Sequence, residues 1–354
     1  MSFKKKTFIS IIIISLLGVH HFCGCVEIQD SVEKKYDIIV DDDFTNQTEG
    51  FNIDHFKNIS SGIAASSENM SIYVKNGVYN ETISINKHLT IDGENAYTTI
   101  LDGGYRDDDV IHVKGNGQIT ISGFTIRNGG NKSKHGLDIA GIDLRSNGNR
   151  IIGNIITNNI YGIYGLYSDN NIIEKNMFYG NVEYGTYMYR SCDGNNFSNN
   201  VFDNNQYSLR IKGSLRCQVF FNIFVNNTKG IYICCGSKYT IVYGNIFCNN
   251  SEWDGYDSDD NRWDLGSIPD SWNHHVNVDK LTDDNSIMGN FWDSYYLEKQ
   301  GAYDNDKDGI IDEPYDIPNV EYDDNYPLVH PPLIDNPFFN VRYIREFCFS
   351  VNLI

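Results

Sequence analysis

Between Gly148 and Asn250 the apolar residues fall in short alternating runs, each closed by Asn, Gly, Ser or Asp. Alternation with period two, punctuated this way, predicts half-buried strands joined by turns. The runs recur in register. The motif Asn-apolar-apolar stands at Asn154-Ile155-Ile156, Asn176-Met177-Phe178, Asn200-Val201-Phe202, Asn222-Ile223-Phe224 and Asn245-Ile246-Phe247, with anchors 22, 24, 22 and 23 residues apart. A second asparagine follows each anchor by five positions: Asn159, Asn181, Asn205, Asn227 and Asn250. An apolar residue precedes each by three: Ile151, Ile173, Phe197, Val219 and Val242. Ser168, Ser191, Ser214 and Ser237 recur at intervals of 23.

A period near 22 is too short for paired-helix repeats of about 33 to 47 residues, and leucine is too scarce here for leucine-rich repeats of about 20 to 29. Three short strands and three turns per coil account for it. The predicted fold is all-β, a right-handed parallel β-helix whose coils stack about 4.8 Å apart. Ile156, Phe178, Phe202, Phe224 and Phe247 should then form one inner file with rings about 5 Å apart. The repeated asparagines are expected at turns, where Asn tolerates left-handed backbone angles and its amide can bond to the next rung. All seven prolines fall at Pro269 or later, which suits strands paired on both sides. Leu89-Thr90-Ile91-Asp92-Gly93 and Ile119-Thr120-Ile121-Ser122-Gly123-Phe124 look like earlier coils, with an insertion near Gly129 to Gly136. Phe56, Ile59 and Ile63 are spaced for a short amphipathic helix that would cover the open first rung.

Around this solenoid the chain divides further. Residues 1–25 read as a signal peptide: Lys4-Lys5-Lys6 precede an apolar run from Phe8 to Val19. A dozen residues rise about 18 Å as helix, short of a hydrocarbon core of about 30 Å. Gly24-Cys25 resembles a lipoprotein signal, making Cys25 the candidate lipidation site and a lipid anchor the candidate membrane attachment. Residues 26–50 read as a polar tether, 51–250 as the β-helix, 251–332 as an Asp- and Trp-rich cap, and 333–354 as an apolar tail packing onto that cap. The expected location is the cell surface. With 47 acidic against 28 basic residues, the net charge of −19 excludes nucleic acid as a partner. Eight Asn-X-Ser/Thr sequons agree with export. Of the cysteines beyond the signal none forms a CxxC pair, which argues against zinc. Cys192 and Cys217 could bridge adjacent coils or serve as small buried side chains.

Residues from Ile59 through the stretch SIYVKNGVYNETISINKHLTIDGENAYTTILDGG resemble the opening coils of NosD-like β-helix proteins, a periplasmic copper-binding and surface-layer-associated family. Gly289-Asn290-Phe291-Trp292-Asp293-Ser294-Tyr295 and Asp304-Asn305-Asp306-Lys307-Asp308-Gly309 extend the likeness, as do Asp312-Glu313-Pro314-Tyr315-Asp316-Ile317 and Asp324-Asn325-Tyr326-Pro327-Leu328. The cap is most similar to archaeal surface members. The resemblance spans roughly residues 51–330 and implies fold and cap. It is uninformative about activity, since this fold hosts lyases, hydrolases, epimerases and non-catalytic binders.

Asp304, Asp306 and Asp308, with Gly309 after them, match the first half of an EF-hand-type calcium loop. Ile310 would offer its carbonyl and Asp312 its carboxylate. Tyr315 stands where the bidentate glutamate belongs, so Asp316 or Asp293 would complete the shell. A structural calcium pinning the cap is the expectation, against a solvated acidic turn. Catalysis has less support. The arginine motif of pectate-type lyases is missing, and likeness to polygalacturonases is confined to Arg210-Ile211-Lys212 and His135-Gly136. Asp107-Asp108-Asp109 reads as an exposed acidic turn. Copper would need clustered thiolate, thioether or imidazole, whereas Cys234-Cys235, Met288 and His274-His275 form no array. Adjacent strand residues face opposite ways, so Cys234 and Cys235 are expected as one core and one solvent cysteine. Tyr164, Tyr187, Arg210 and Tyr232 should line successive rungs outside, either as a platform for sugar rings or as ordinary strand tyrosines. The resulting expectation is a surface module that binds glycan or envelope polymer without catalysis. The alternatives are a polysaccharide lyase or hydrolase, and a copper accessory protein.

Overall fold

Each rung of the chain contributes one strand to each of three parallel sheets, of ten, nine and eight strands. One rung illustrates the plan: Ile172–Glu174 joins the first sheet, Met177–Tyr179 the second and Tyr184–Tyr189 the third. In this computed structural model the described residues are 36–115, 118–130, 139–269, 271–272, 288–295, 301–317 and 322–339. They belong to one unit, Tyr36–Ile354. Residues 1–25, read as a signal peptide with Cys25 at its end, and the pairs His135-Gly136 and His274-His275 lie outside the described residues. No helix among the described residues is long and apolar enough to cross a membrane.

The inner file forms as the repeat predicts. Ile156 pairs with Phe178, and Phe178, Phe202, Phe224 and Phe247 pair in turn, all fully buried. Their ring centroids are 4.6, 5.0 and 5.0 Å apart with interplanar angles of 8 to 12°. Trp292 extends the file at 4.3 Å and Tyr315 closes it at 4.2 Å. Tyr315 is therefore a lid on the last rung.

The asparagines divide the work of the corners in a way the sequence reading merged. The residue that takes the left-handed conformation precedes the ladder asparagine: Gly153, Lys175, Asn199, Phe221 and Gly244 at one corner, Asn158, Gly180, Asn204, Asn226 and Asn249 at the next. The buried asparagine that follows bonds from rung to rung. Asn176 N–H donates to Asn200 Oδ1 at 3.0 Å, and Asn200 N–H to Asn222 Oδ1 at 2.9 Å. The third corner uses Ser168, Ser214 and Ser237 with Asn149, Asn171 and Asn195. Ser191 is exposed at a positive φ, and Cys192 takes the rung position expected for it. Cys217 likewise stands above Asn195, its thiol donating to the Cys192 carbonyl at 3.3 Å. Both remain free thiols, so the two cysteines are ladder substitutes and not a bridge.

Both ends differ from expectation. Ile38–Val40, inside the stretch read as a tether, is a strand paired with both His55–Phe56 and Met70–Val74. The helix Ile59–Ala65 buries Ile59 and Ile63, and the Glu81 carboxylate accepts from the Ile59 and Ser60 N–H groups at 2.7 and 3.0 Å. At the other end, the described part of the tail does not stop at the cap. Ile334 packs with the outward column Val201, Ile223 and Ile246. Asn336 donates to the Asn176 and Asn199 carbonyls, and Phe338 meets Tyr97 at 5.7 Å. The tail thus runs back along the solenoid and covers apolar side chains that the second sheet turns outward.

Candidate functional site

The outer face of the third sheet concentrates the side chains able to meet a ligand. Three columns run along it. The middle one reads His112, Asp143, Tyr164, Tyr187, Arg210, Tyr232 and Tyr256 on successive rungs. On one side stand Tyr161, Tyr184, Tyr207, Lys229 and Trp253, and on the other Lys114, Arg145, Leu166, Tyr189, Lys212 and Cys234. The four residues anticipated as an outward file are thus brought together. Ile211 points inward between Arg210 and Lys212, as the alternation requires.

The tyrosines do not form a flat exposed platform. Tyr161, Tyr184 and Tyr207 stack on one another at 5.3 and 4.8 Å, and Tyr184 stacks on Tyr187 at 4.9 Å. Beside that stack Tyr164 and Tyr187 meet edge to face at 5.7 Å, and they keep only 5% and 8% exposure. The adjacent column of tyrosines, which the sequence reading overlooked, causes this. Its signal was present in Tyr161, Tyr184 and Tyr207, spaced at 23 residues.

Cations reach further out than the rings. Arg210 lies between Tyr187 and Tyr232, 5.0 and 4.9 Å from their centroids, and donates to Tyr184 Oη at 2.8 Å. Its Nε is buried and has no hydrogen-bond partner. Lys212 and Arg190 sit 5.1 and 4.9 Å from the Tyr189 ring. Among the described residues, Arg190, Arg210 and Lys212 form no ion pair, although the chain carries 19 more acidic than basic groups. Arg210 Nη1 and Nη2 donate to Tyr184 Oη and Cys234 Sγ, and each keeps a second in-plane N–H for a ligand.

At the N-terminal end of this face the structure assembles a cluster the sequence did not reveal. His112 Nδ1 lies 2.7 Å from Asp143 Oδ2 and 3.5 Å from Asp109 Oδ2, and Arg145 Nε donates to Asp143 Oδ2 at 2.7 Å. Hydrogen bonds to Asp109 and Asp143 raise the His112 pKa to about 9 against the effect of burial. The shorter contact makes Asp143 the firmer partner. Asp109 is not an exposed turn residue: its carboxylate accepts from the Ala140 N–H at 2.7 Å, and burial raises its pKa. His112 and Asp143 are separated by the insertion, which hid their pairing.

The acidic loop of the cap is a separate feature. Asp304, Asp306 and Asp308 each offer a carboxylate oxygen within 4.8 Å of the others. The turn is shaped by Lys307 and Gly309 at φ 64° and 93°, with Asp304 Oδ1 accepting from the Lys307 N–H at 2.7 Å. Asp312 stands outside the three-carboxylate group and accepts from the Asn305 N–H at 2.9 Å. Ile310 bridges to Leu328, which fixes the backbone after the loop. Asp293 accepts from the Asn249 N–H at 2.6 Å at the last rung, and Asp316 is exposed.

The profile of a family described as "Periplasmic copper-binding protein (NosD)" matches residues 64–297. No curated protein sequence matches the chain. Among solved structures, an alginate lyase from Paenibacillus sp. str. FPU-7 is 15% identical, with 54% of this chain and 74% of that one covered and a TM-score of 0.42. Pectin methylesterase PemA from Erwinia chrysanthemi is 12% identical, with 72% and 98% covered and a TM-score of 0.36. An ORF18 protein of Geobacillus virus E2 is 14% identical, with 56% and 53% covered and a TM-score of 0.35.

Proposed function

The chain belongs to the NosD family of β-helix proteins, and from that premise we propose that it is an extracytoplasmic module binding an anionic polysaccharide along the outer face of the third sheet. The observation behind this reading is the group Arg190, Arg210 and Lys212, unpaired among the described residues of a chain with net charge −19. Cations without carboxylate partners in such a protein suit a carboxylated or sulfated polymer laid along the rungs. Arg210 would supply donors to an anionic group, while tyrosine edges and hydroxyls would meet sugar hydroxyls. Attachment through Cys25 would hold the module at the cell surface.

Binding of the purified protein to matched neutral, uronate-containing and sulfated glycans tests this. The expected result is retention of anionic glycans only, weakening with salt and falling at least about tenfold when Arg210 and Lys212 are both replaced by alanine. Equal binding of neutral glycans, or no effect of the double variant, would overturn it. A second reading, that the face cleaves the polymer, is favoured by one observation: His112 held between Asp109 and Asp143 beside Arg145. An imidazolium so placed could act as a general acid. New reducing ends or unsaturated uronate products, lost in His112→Gln, would establish it.

Copper has no support from the donors clustered among the described residues. A soft copper ion wants thiolate, thioether or imidazole. Among the described residues both three-ligand clusters are carboxylate-rich, and no third His, Cys or carboxylate joins Cys234 and Cys235. Calcium is the proposed ion of the cap, held by Asp304, Asp306 and Asp308 in a structural role. The support is the convergence of three hard oxygens on one turn. Ile310 and Asp316 remain the candidates to complete the shell, with Asp312 tied to Asn305.

A further inference from the structure

Cys234 and Cys235 are neighbours in sequence, yet they do not point apart as residues of a continuing strand would. Cys234 ends the strand Lys229–Cys234, in the outward column after Tyr189 and Lys212. Cys235 then takes the left-handed conformation at φ 64°, the corner position that Tyr167, Arg190 and Gly213 fill on earlier rungs. That reversal swings its side chain back, leaving the two sulfur atoms 3.0 Å apart. Cys235 is exposed, whereas Cys192, Cys217 and Cys234 are buried. Cys248 is already disulfide-bonded. The corner thus presents one accessible thiol with a second directly beneath it.

We propose that Cys234 and Cys235 are a redox-active vicinal pair, oxidised by small-molecule disulfides to a reversible disulfide. The exposed Cys235 thiol loses its proton to solvent and attacks one sulfur of the small disulfide. That S–S bond breaks, one thiol leaves and a mixed disulfide remains on Cys235. Cys234 then gives up its proton and attacks the Cys235 sulfur, forming the bond between adjacent residues and releasing the second small thiol. Two protein thiols are oxidised and one disulfide is reduced to two thiols. Burial raises the Cys234 pKa to about 11, so the second step quickens with rising pH.

The adjacency of the two residues makes this pair a switch and not a staple. Adjacent Cα atoms across a trans peptide are about 3.8 Å apart, below the range of about 4.4 to 6.8 Å that disulfides prefer. Strained disulfides belong to the labile, readily reduced class. A bridge between neighbours also closes no loop, so it adds little to stability. Its structural consequence falls on Arg210, whose Nη2 donates to Cys234 Sγ at 3.9 Å in the dithiol state.

The purified protein is treated with oxidised glutathione, alkylated and examined by intact mass and peptide mapping. Wild type should lose two hydrogens without a glutathione adduct, and lose two alkylation sites on the one peptide carrying both cysteines. Mild dithiothreitol should restore them. Cys234→Ser should stall with glutathione on Cys235, and Cys235→Ser should react far more slowly. Circular dichroism of each variant separates these outcomes from misfolding. Wild type that stops at a glutathione adduct, stays fully alkylatable, or retains both thiols with a bound copper ion would overturn the proposal.

Discussion

Replacing Asn200 by alanine tests whether the asparagine ladder or the aromatic file holds the rungs together. The Asn200 side chain makes four hydrogen bonds in a fully buried site. Its Oδ1 accepts from the Asn176 N–H and Nδ2, at 3.0 and 3.1 Å. Its Nδ2 donates to the Ile173 carbonyl at 2.7 Å and to Asn222 Oδ1 at 3.0 Å. Alanine strands the Asn176 N–H without an acceptor and withdraws a donor from the Ile173 carbonyl. The stranded Asn176 N–H costs about 1–3 kcal/mol and the bond lost to the Ile173 carbonyl a net of about 0.5–1.5 kcal/mol, while the Asn176 amide keeps the Ile151 carbonyl and Asn222 Oδ1 keeps the Asn200 N–H. The expected destabilisation is therefore about 2–4 kcal/mol, read as a lower urea midpoint with unchanged slope. The neighbouring corner supplies the control. Asn204 is exposed at φ 57° and has no ladder role. Glycine suits that conformation, so Asn204→Gly should stay within about 0.5 kcal/mol of wild type. Equal midpoints for the two variants would refute the division of work between corner and ladder residues.

Phe202→Ala empties the middle of the stacked file and should cost about 3–5 kcal/mol by urea unfolding. Gly185→Ala places a Cβ 2.6 Å from the Ser208 carbonyl and 2.8 Å from the Phe202 ring, so a loss of about 1–3 kcal/mol is expected in the same assay. Calcium should raise the melting temperature of the cap, by an amount equivalent to about 2.7 kcal/mol at a hundredfold excess over Kd. Asp306→Ala should remove that increment, and no response to chelation would leave the loop an acidic turn. Burial raises Asp254 and Asp257 to about 7 and about 6. The folded chain then holds protons that the unfolded chain sheds near pH 4, so stability should fall as pH rises from about 4 to about 7, and loss of the His112 proton continues the fall toward about pH 9. A urea midpoint higher at about pH 8 than at about pH 5 would contradict this.

The solenoid was legible because its stabilising contacts link equivalent positions of neighbouring rungs, so sequence period and spatial contact coincide. Phe178, Phe202, Phe224 and Phe247 could be placed in one file from spacing alone, and their rings stack as that spacing requires. Legibility ended where the period broke. The insertion near Gly129 to Gly136 separates His112 from Asp143, which pair as direct neighbours across one rung. Spacing left Cys192 and Cys217 open as a bridge or as small buried side chains because they lie one rung apart; they occupy different ladders, one of serines and one of asparagines, as buried free thiols. The outward column Val201, Ile223 and Ile246 was apolar for a reason located more than eighty residues later, in the returning tail.

The third sheet shows how one surface reconciles an aromatic column with ligand chemistry. Parallel rungs bring equivalent positions into register, so tyrosines repeated at the rung period pack on one another, face to face in Tyr161, Tyr184 and Tyr207 and edge to face in Tyr164 and Tyr187. Stacking consumes ring faces and yields stability at the expense of a sugar-docking plane. Arg210 interrupts the middle column between Tyr187 and Tyr232. Its planar guanidinium occupies the space of a ring, so the column stays filled while its rim gains charge-assisted donors. Lysine at that position would keep the charge but lose the plane. Arg210→Lys should therefore weaken binding of an anionic glycan while leaving the fold intact, and Arg210→Tyr should preserve stability while abolishing binding. Retained affinity in the tyrosine variant would place the anion elsewhere on the molecule.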